Sequence, residues 1–125
     1  MRKEINCNEI AKAIGPYSHS VLAEGKFLFL SGQVSMDSFG NLIGDNIQTQ
    51  TLKALENLKS VVETAGGKVE NIVKTTVLMQ DLSLFTDMNK VYAEFFGETK
   101  PARATFEVSR LPKDAMIEIE AIAVI

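Results

Sequence analysis

The runs Phe27-Leu28-Phe29-Leu30 and Ile117 to Val124 constrain this chain more than any other feature, because each carries apolar residues at positions that alternate between faces. Successive strand residues point to opposite sides of a sheet, so Phe27 and Phe29 oppose Leu28 and Leu30, and Ile117 and Ile119 oppose Ile122 and Val124. A sheet built from such strands needs cover on both faces. One layer of helices covers one face, and the bare apolar face that remains predicts self-association.

The rest of the chain supplies that layer. Ser18 to Gly25 and Lys26 to Val34 read as two strands broken at Glu24-Gly25, which fits a tight hairpin. A polar loop from Ser35 through Asp37, Gly40 and Asn41 follows. Between Ile47 and Ala65, Leu52, Leu55, Leu58, Val61 and Val62 recur at helical spacing, and Gly66-Gly67 ends the pattern. Asn71 to Gln80 is rich in β-branched residues and reads as a buried strand. Asp81 or Ser83 can cap a second helix carrying Phe85, Met88, Val91, Tyr92, Phe95 and Phe96 as far as Gly97. Arg103 to Ser109 and Ala115 to Ile125 are two further strands, expected to form a C-terminal hairpin. The order predicts an α+β fold, two helices on one face of a mixed sheet, as a single domain over residues 1–125.

Charge narrows the function. A net charge of −3, a pI near 5.2 and scattered basic residues argue against nucleic-acid binding, which draws on clustered Lys and Arg. The first residues, MRKEINCNEI, lack the apolar core of an export signal, which predicts a cytoplasmic protein, and no apolar run is long enough to span a bilayer. Cys7 is the only cysteine and His19 the only histidine, too few to found a metal site within one chain. Phosphate-cradling glycine loops, paired-histidine helices and nucleophile elbows are absent.

Chemistry is left to the C-terminal strands, where Arg103 follows Pro101-Ala102 and Glu118 and Glu120 share one strand face. A guanidinium offers a planar fork to a carboxylate, and a glutamate can orient or deprotonate water, a combination suited to a small acid substrate. Pattern alone favours a plainer outcome, a cross-strand ion pair of Arg103 with Glu118 or Glu120, which an even-length hairpin loop would permit.

The segments IGPYSHSV (14–21), SGQV (31–34), NIVKTTVLMQDL (71–82), MNKVYAEFF (88–96) and PARATFEVSRLPKDAMIEIEAIAV (101–124) together resemble the RidA family of enamine and imine deaminases, also called endoribonuclease L-PSP. The resemblance covers nearly the whole chain. It implies a chorismate-mutase-like, ferredoxin-like fold assembled as a homotrimer with ligand sites between subunits. It also implies hydrolysis of 2-imino acids such as 2-iminobutanoate and 2-iminopropanoate to 2-keto acids and ammonia, with no metal or organic cofactor. Position by position, Arg103 would bind the substrate carboxylate and Glu118 would hold the attacking water. Tyr17, Ser31, Gly32, Asn89 and the backbone of Ala104 and Thr105 would border the site. Without the resemblance Tyr17 reads as a turn aromatic, Ser31-Gly32 as a bulge and Asn89 as a helix-surface residue. Many relatives carry cysteine in place of Thr105, so a thiol is not essential here. Three other roles compete: a binding module for 2-keto acids, a ribonuclease or translation inhibitor, and a purely structural trimer.

Overall fold

A computed structural model describes residues 1–125. The elements run β1 (Arg2–Ile5), β2 (Ser20–Ala23), β3 (Phe27–Gln33), α1 (Ile47–Thr64), β4 (Ile72–Met79), α2 (Phe85–Phe96), β5 (Ala102–Glu107) and β6 (Ile117–Val124). β3, β6, β4 and β5 form a four-stranded sheet in that order, and β1 with β2 forms a separate two-stranded sheet. β4 and β5 are parallel while β6 runs antiparallel to both of its neighbours, so the main sheet is mixed. The core lies between this sheet and the helices: Ala54, Leu55, Leu58 and Val62 of α1 and Met88, Tyr92 and Phe96 of α2 pack on Val77, Met79, Ile117 and Ile119. No helix is long and apolar enough to cross a membrane.

Local chemistry sets the helix ends. The Asn46 side chain accepts from the Thr49 N–H at 2.8 Å, satisfying one orphan donor at the start of α1. Gly66 then takes a left-handed φ of 87°, and Gly67 donates to the Val62 carbonyl. Leu52 and Val61, expected on the apolar face, are exposed by 43 and 37%; the buried stripe instead adds Ile47, Gln50, Thr51 and Ala54. Asp81 caps a short 3₁₀ turn at Leu82–Leu84, accepting from Ser83 N–H, and α2 begins directly after that turn without a side-chain cap.

Both expected hairpins are corrected. β2 pairs with β1, Arg2 opposite Ala23 and Ile5 opposite Ser20, and not with β3. The chain at Gly25 and Lys26 lies against the C-terminus, where Lys26 and Ile125 exchange N–H···O bonds of 2.8 Å; a Cβ on Gly25 would stand 2.7 Å from the Ile125 oxygen. At the other end β4 separates β5 from β6. Val108 N–H donates to Met79 O on one side of β4, while Gln80 N–H donates to Met116 O on the other. Residues 108–116 must therefore cross the end of β4, too long a path for a tight hairpin loop.

The alternation anticipated in the strands is present. In β6, Ile117, Ile119, Ala121 and Ala123 are buried toward the helices, whereas Glu118, Glu120 and Ile122 line the other face. That face carries Phe27, Phe29 and Phe106, exposed by 66, 73 and 53%.

The sheet-to-helix core predicts a specific loss. Leu58 is fully buried, so Leu58→Ala should destabilise the fold by about 2–5 kcal/mol in urea unfolding. A loss below half a kilocalorie would place Leu58 outside the core.

Candidate active site

Arg103 is set by strand register. It lies opposite Thr75 in the parallel β4–β5 ladder, and Thr75 lies opposite Ala121 of β6, so all three side chains point toward the helices. β5 is the edge strand, which lets the arginine reach past the core to α2. There Phe85, Asn89 and Tyr92, spaced at i, i+4 and i+7 on one helix face, meet its guanidinium. Nη1 donates to Asn89 Oδ1 at 2.6 Å. The Arg103 Cζ lies 4.8 Å from the Tyr92 ring centroid, 5.4 Å from that of Phe85 and 5.6 Å from that of Tyr17.

Tyr17 is carried by a loop pinned to the start of β5. Ser18 N–H donates to Pro101 O at 3.2 Å, and Ser18 Oγ donates to Lys100 O at 2.6 Å. Asn89 and Tyr17 are therefore site neighbours of Arg103 and not free surface residues.

The guanidinium is half-buried and has no carboxylate. The ion pairs of the chain are Arg2–Glu4, Lys59–Glu63 and Arg110–Asp114, so the expected pair of Arg103 with Glu118 or Glu120 does not form. Of the five N–H donors a guanidinium offers, one is used within the chain, on Asn89. Burial pulls its pKa below the ordinary arginine value, with the Tyr92 and Tyr17 phenols acting in the opposite direction. It remains a cation. Three rings supply quadrupole stabilisation of about 0.5–2 kcal/mol each in such positions, but they leave the hydrogen-bonding fork unfilled.

Glu118 stands elsewhere. It is opposite Leu78, and Leu78 is opposite Phe106, a row on the open face of the sheet. The β3 register shifts between Leu30 and Gln33, so Ser31-Gly32 is indeed a bulge. Glu118 lies over it: a Cβ on Gly32 would stand 2.0 Å from Glu118 Oε2, so a side chain here would displace the carboxylate from this position. Glu118 takes part in no ion pair or side-chain hydrogen bond within the chain.

The expected site residues thus fall into two groups on opposite faces of one sheet. Arg103, Asn89 and Tyr17 gather beneath the helices, and Thr105 shares their face of β5, its hydroxyl buried without a partner. Glu118 meets Gly32 on the open face, with Ser31 beside it in the bulge, and Ala104, opposite Thr76, points to that face too. Phe85 and Tyr92, which the sequence places only among the apolar residues of the second helix, are walls of this site. Their spacing with Asn89 on one helix face was the available signal.

A family model described as endoribonuclease L-PSP matches residues 7–125. The chain belongs to this family. It is 48% identical to a RutC family protein of Pyrococcus horikoshii over 98% of both chains. It is 46% identical to the 2-iminobutanoate/2-iminopropanoate deaminase of Salmonella typhimurium, covering 99% of this chain and 98% of the other. Among solved structures, E. coli TdcF with bound serine superposes with a TM-score of 0.76 at 41% identity, over 98% of each chain. The resemblance read from the motifs and the mixed sheet bearing two helices therefore agree with the family.

Tyr92 links the site to stability. Burial pushes its phenol up to about 12 from the ordinary value near 10, opposed by the Thr75 hydrogen bond and the charge of Arg103. Between those pH values the unfolded chain releases a proton that the folded chain keeps, so stability falls as pH rises, by roughly 2–3 kcal/mol in total. Tyr92→Phe has no such proton, and its urea midpoint should decline less steeply across that window. An equal decline in both proteins would contradict the buried phenol.

Proposed function

We propose that this chain is a deaminase of 2-imino acids, with each active site completed by two copies: Arg103 of one and Glu118 of the next. The observation that carries this reading is the half-buried Arg103 fork, aromatic-walled and without a counter-ion. Such a fork matches a small carboxylate. The 2-iminobutanoate/2-iminopropanoate deaminases among its relatives supply the reaction class.

Self-association follows from the same geometry. Arg103 and Glu118 cannot converge within one chain, since they leave the sheet on opposite faces. The open face, with exposed Phe27, Phe29 and Phe106, requires cover. A homotrimer burying those faces would bring the Glu118–Gly32 bulge of one copy toward the Arg103 fork of another.

In the proposed reaction the substrate carboxylate docks on Arg103, which places the imine carbon near Glu118 of the neighbouring copy. Glu118 takes a proton from water as the oxygen attacks that carbon, and the C=N π electrons move to nitrogen. Glu118 returns that proton to nitrogen, giving the neutral carbinolamine, and then carries the hydroxyl proton to nitrogen as well: the C–N bond breaks, ammonia leaves and the C=O of the 2-keto acid forms. Hydrolysis of this kind needs no cofactor. Positioning and one general base contribute about 10²–10⁴-fold on the proton-transfer side.

A second reading is a binding module for small acids. The Arg103 fork supports it as well, and the serine bound to E. coli TdcF shows an amino acid held by a similar protein. A ribonuclease role draws on the family description alone, and a net charge of −3 opposes it.

The assay is hydrolysis of 2-iminobutanoate, generated in place by an amino-acid oxidase and trapped with semicarbazide. Wild type should accelerate it. Arg103→Ala should lower kcat/KM by about 100-fold or more. Glu118→Gln should lower kcat comparably with little change in KM. Full activity in Arg103→Ala would refute the assignment, and binding of 2-ketobutanoate without turnover by wild type would favour the binding module.

A further inference from the structure

Behind Arg103 lies a polar pair that the proposed chemistry does not use. Tyr92 Oη and Thr75 Oγ1 are 2.7 Å apart, and both residues are fully buried, so neither can touch a ligand. A hydroxyl pair in an apolar core gains little net stability over an apolar pair of the same shape. Its placement suggests a use. Thr75 is the register partner of Arg103 in the β4–β5 ladder, and the Tyr92 ring lies beneath the guanidinium at 4.8 Å. Three points are thereby tied together: a strand residue, its neighbour across the ladder and a helix residue that bonds the first and supports the second.

We propose that the Tyr92–Thr75 pair is a positioning unit that fixes the Arg103 guanidinium for carboxylate binding. The proposal rests on reading Arg103 as the carboxylate anchor. The Thr75 hydroxyl, fully buried and bonded to Tyr92 at 2.7 Å, is a fixed post. The Tyr92 ring is held at one end by the α2 backbone and at the other by that post, which sets its tilt. With the ring below and Asn89 on Nη1, the remaining N–H groups of Arg103 have one direction in which to point. The Tyr92 phenol is neutral at physiological pH, and burial pushes its pKa further up, so the ring adds no negative charge to compete with an incoming carboxylate. Loss of the pair frees ring and guanidinium to reorient, and binding must then immobilise them again.

The test compares wild type with Thr75→Val, Thr75→Ser and the double variant Tyr92→Phe/Thr75→Val. The double variant removes both hydroxyls and leaves no orphaned polar atom, so its melting temperature should stay near wild type. Calorimetry with 2-ketobutanoate should show Kd raised about five- to tenfold in the double variant and in Thr75→Val, and near wild type in Thr75→Ser, which keeps the hydroxyl. In side-chain ¹⁵N spectra the two Nη resonances of Arg103 should be separate in wild type and merged in the double variant. A folded double variant with wild-type Kd and separate resonances overturns the proposal, as does Thr75→Ser binding as weakly as Thr75→Val. If wild type binds 2-ketobutanoate but hydrolyses no imine, the deaminase reading falls and the positioning unit is still tested. If wild type binds no carboxylate, both fall.

Discussion

The position of β4 between β5 and β6 governs most of what is distinctive here. Because β4 pairs on both edges, β5 is left at the rim of the sheet and β6 at its interior. A rim strand lets Arg103 extend under α2 and remain partly open to solvent. An interior strand gives β6 two structural tasks, with odd-numbered residues of Ile117–Ala123 in the core and Glu118 and Glu120 on the open face. The two proposed half-sites are separated by register, since Arg103 and Glu118 leave the sheet on opposite faces.

Electrostatics assigns the halves different characters. Arg103 is stripped of part of its hydration and offered rings and one amide oxygen in place of a carboxylate. A charge in that state is costly to leave unmatched and strongly favoured to acquire an anion. Glu118 rests on a backbone bulge whose missing Cβ makes room for it. Neither residue neutralises the other. A planar anion is the species that satisfies the first, and a water or an electrophile the second, which is why the proposed substrate carries a carboxylate at one end and an imine at the other.

The helices and β4 were legible from the sequence because their signals are local: three- and four-residue apolar spacing, Asn46 and Gly66 at the ends of α1, and β-branched residues in 72–79. Both hairpin readings failed because pairing is not local. Adjacent strands in sequence default to adjacency in space, and nothing in residues 108–116 announces that the chain crosses another strand. β1 was missed for a different reason. Arg2, Lys3 and Glu4 carry no apolar alternation, and the strand is held by side-chain ties, Arg2 to Ile72 O and Glu4 to Lys100 N–H. Of the site, Arg103 and Glu118 stood out as chemistry-bearing residues of the C-terminal strands, and their roles, with Tyr17, Ser31, Gly32, Asn89, Ala104 and Thr105, came from motif resemblance. Their division between two faces came only from register, and the part of Phe85 and Tyr92 in holding Arg103 only from the packed helix.

The central claim is that one active site draws Arg103 and Glu118 from different copies, and subunit mixing tests it most directly. Arg103→Ala and Glu118→Gln, each inactive alone, are combined in equal amounts, unfolded, refolded together and assayed for imine hydrolysis. Shared sites predict recovery of about a quarter of wild-type activity, the chance that an intact Arg103 meets an intact Glu118 across a random interface. Folded mixed oligomers with no recovered activity would mean that each chain builds its site alone, contradicting the account.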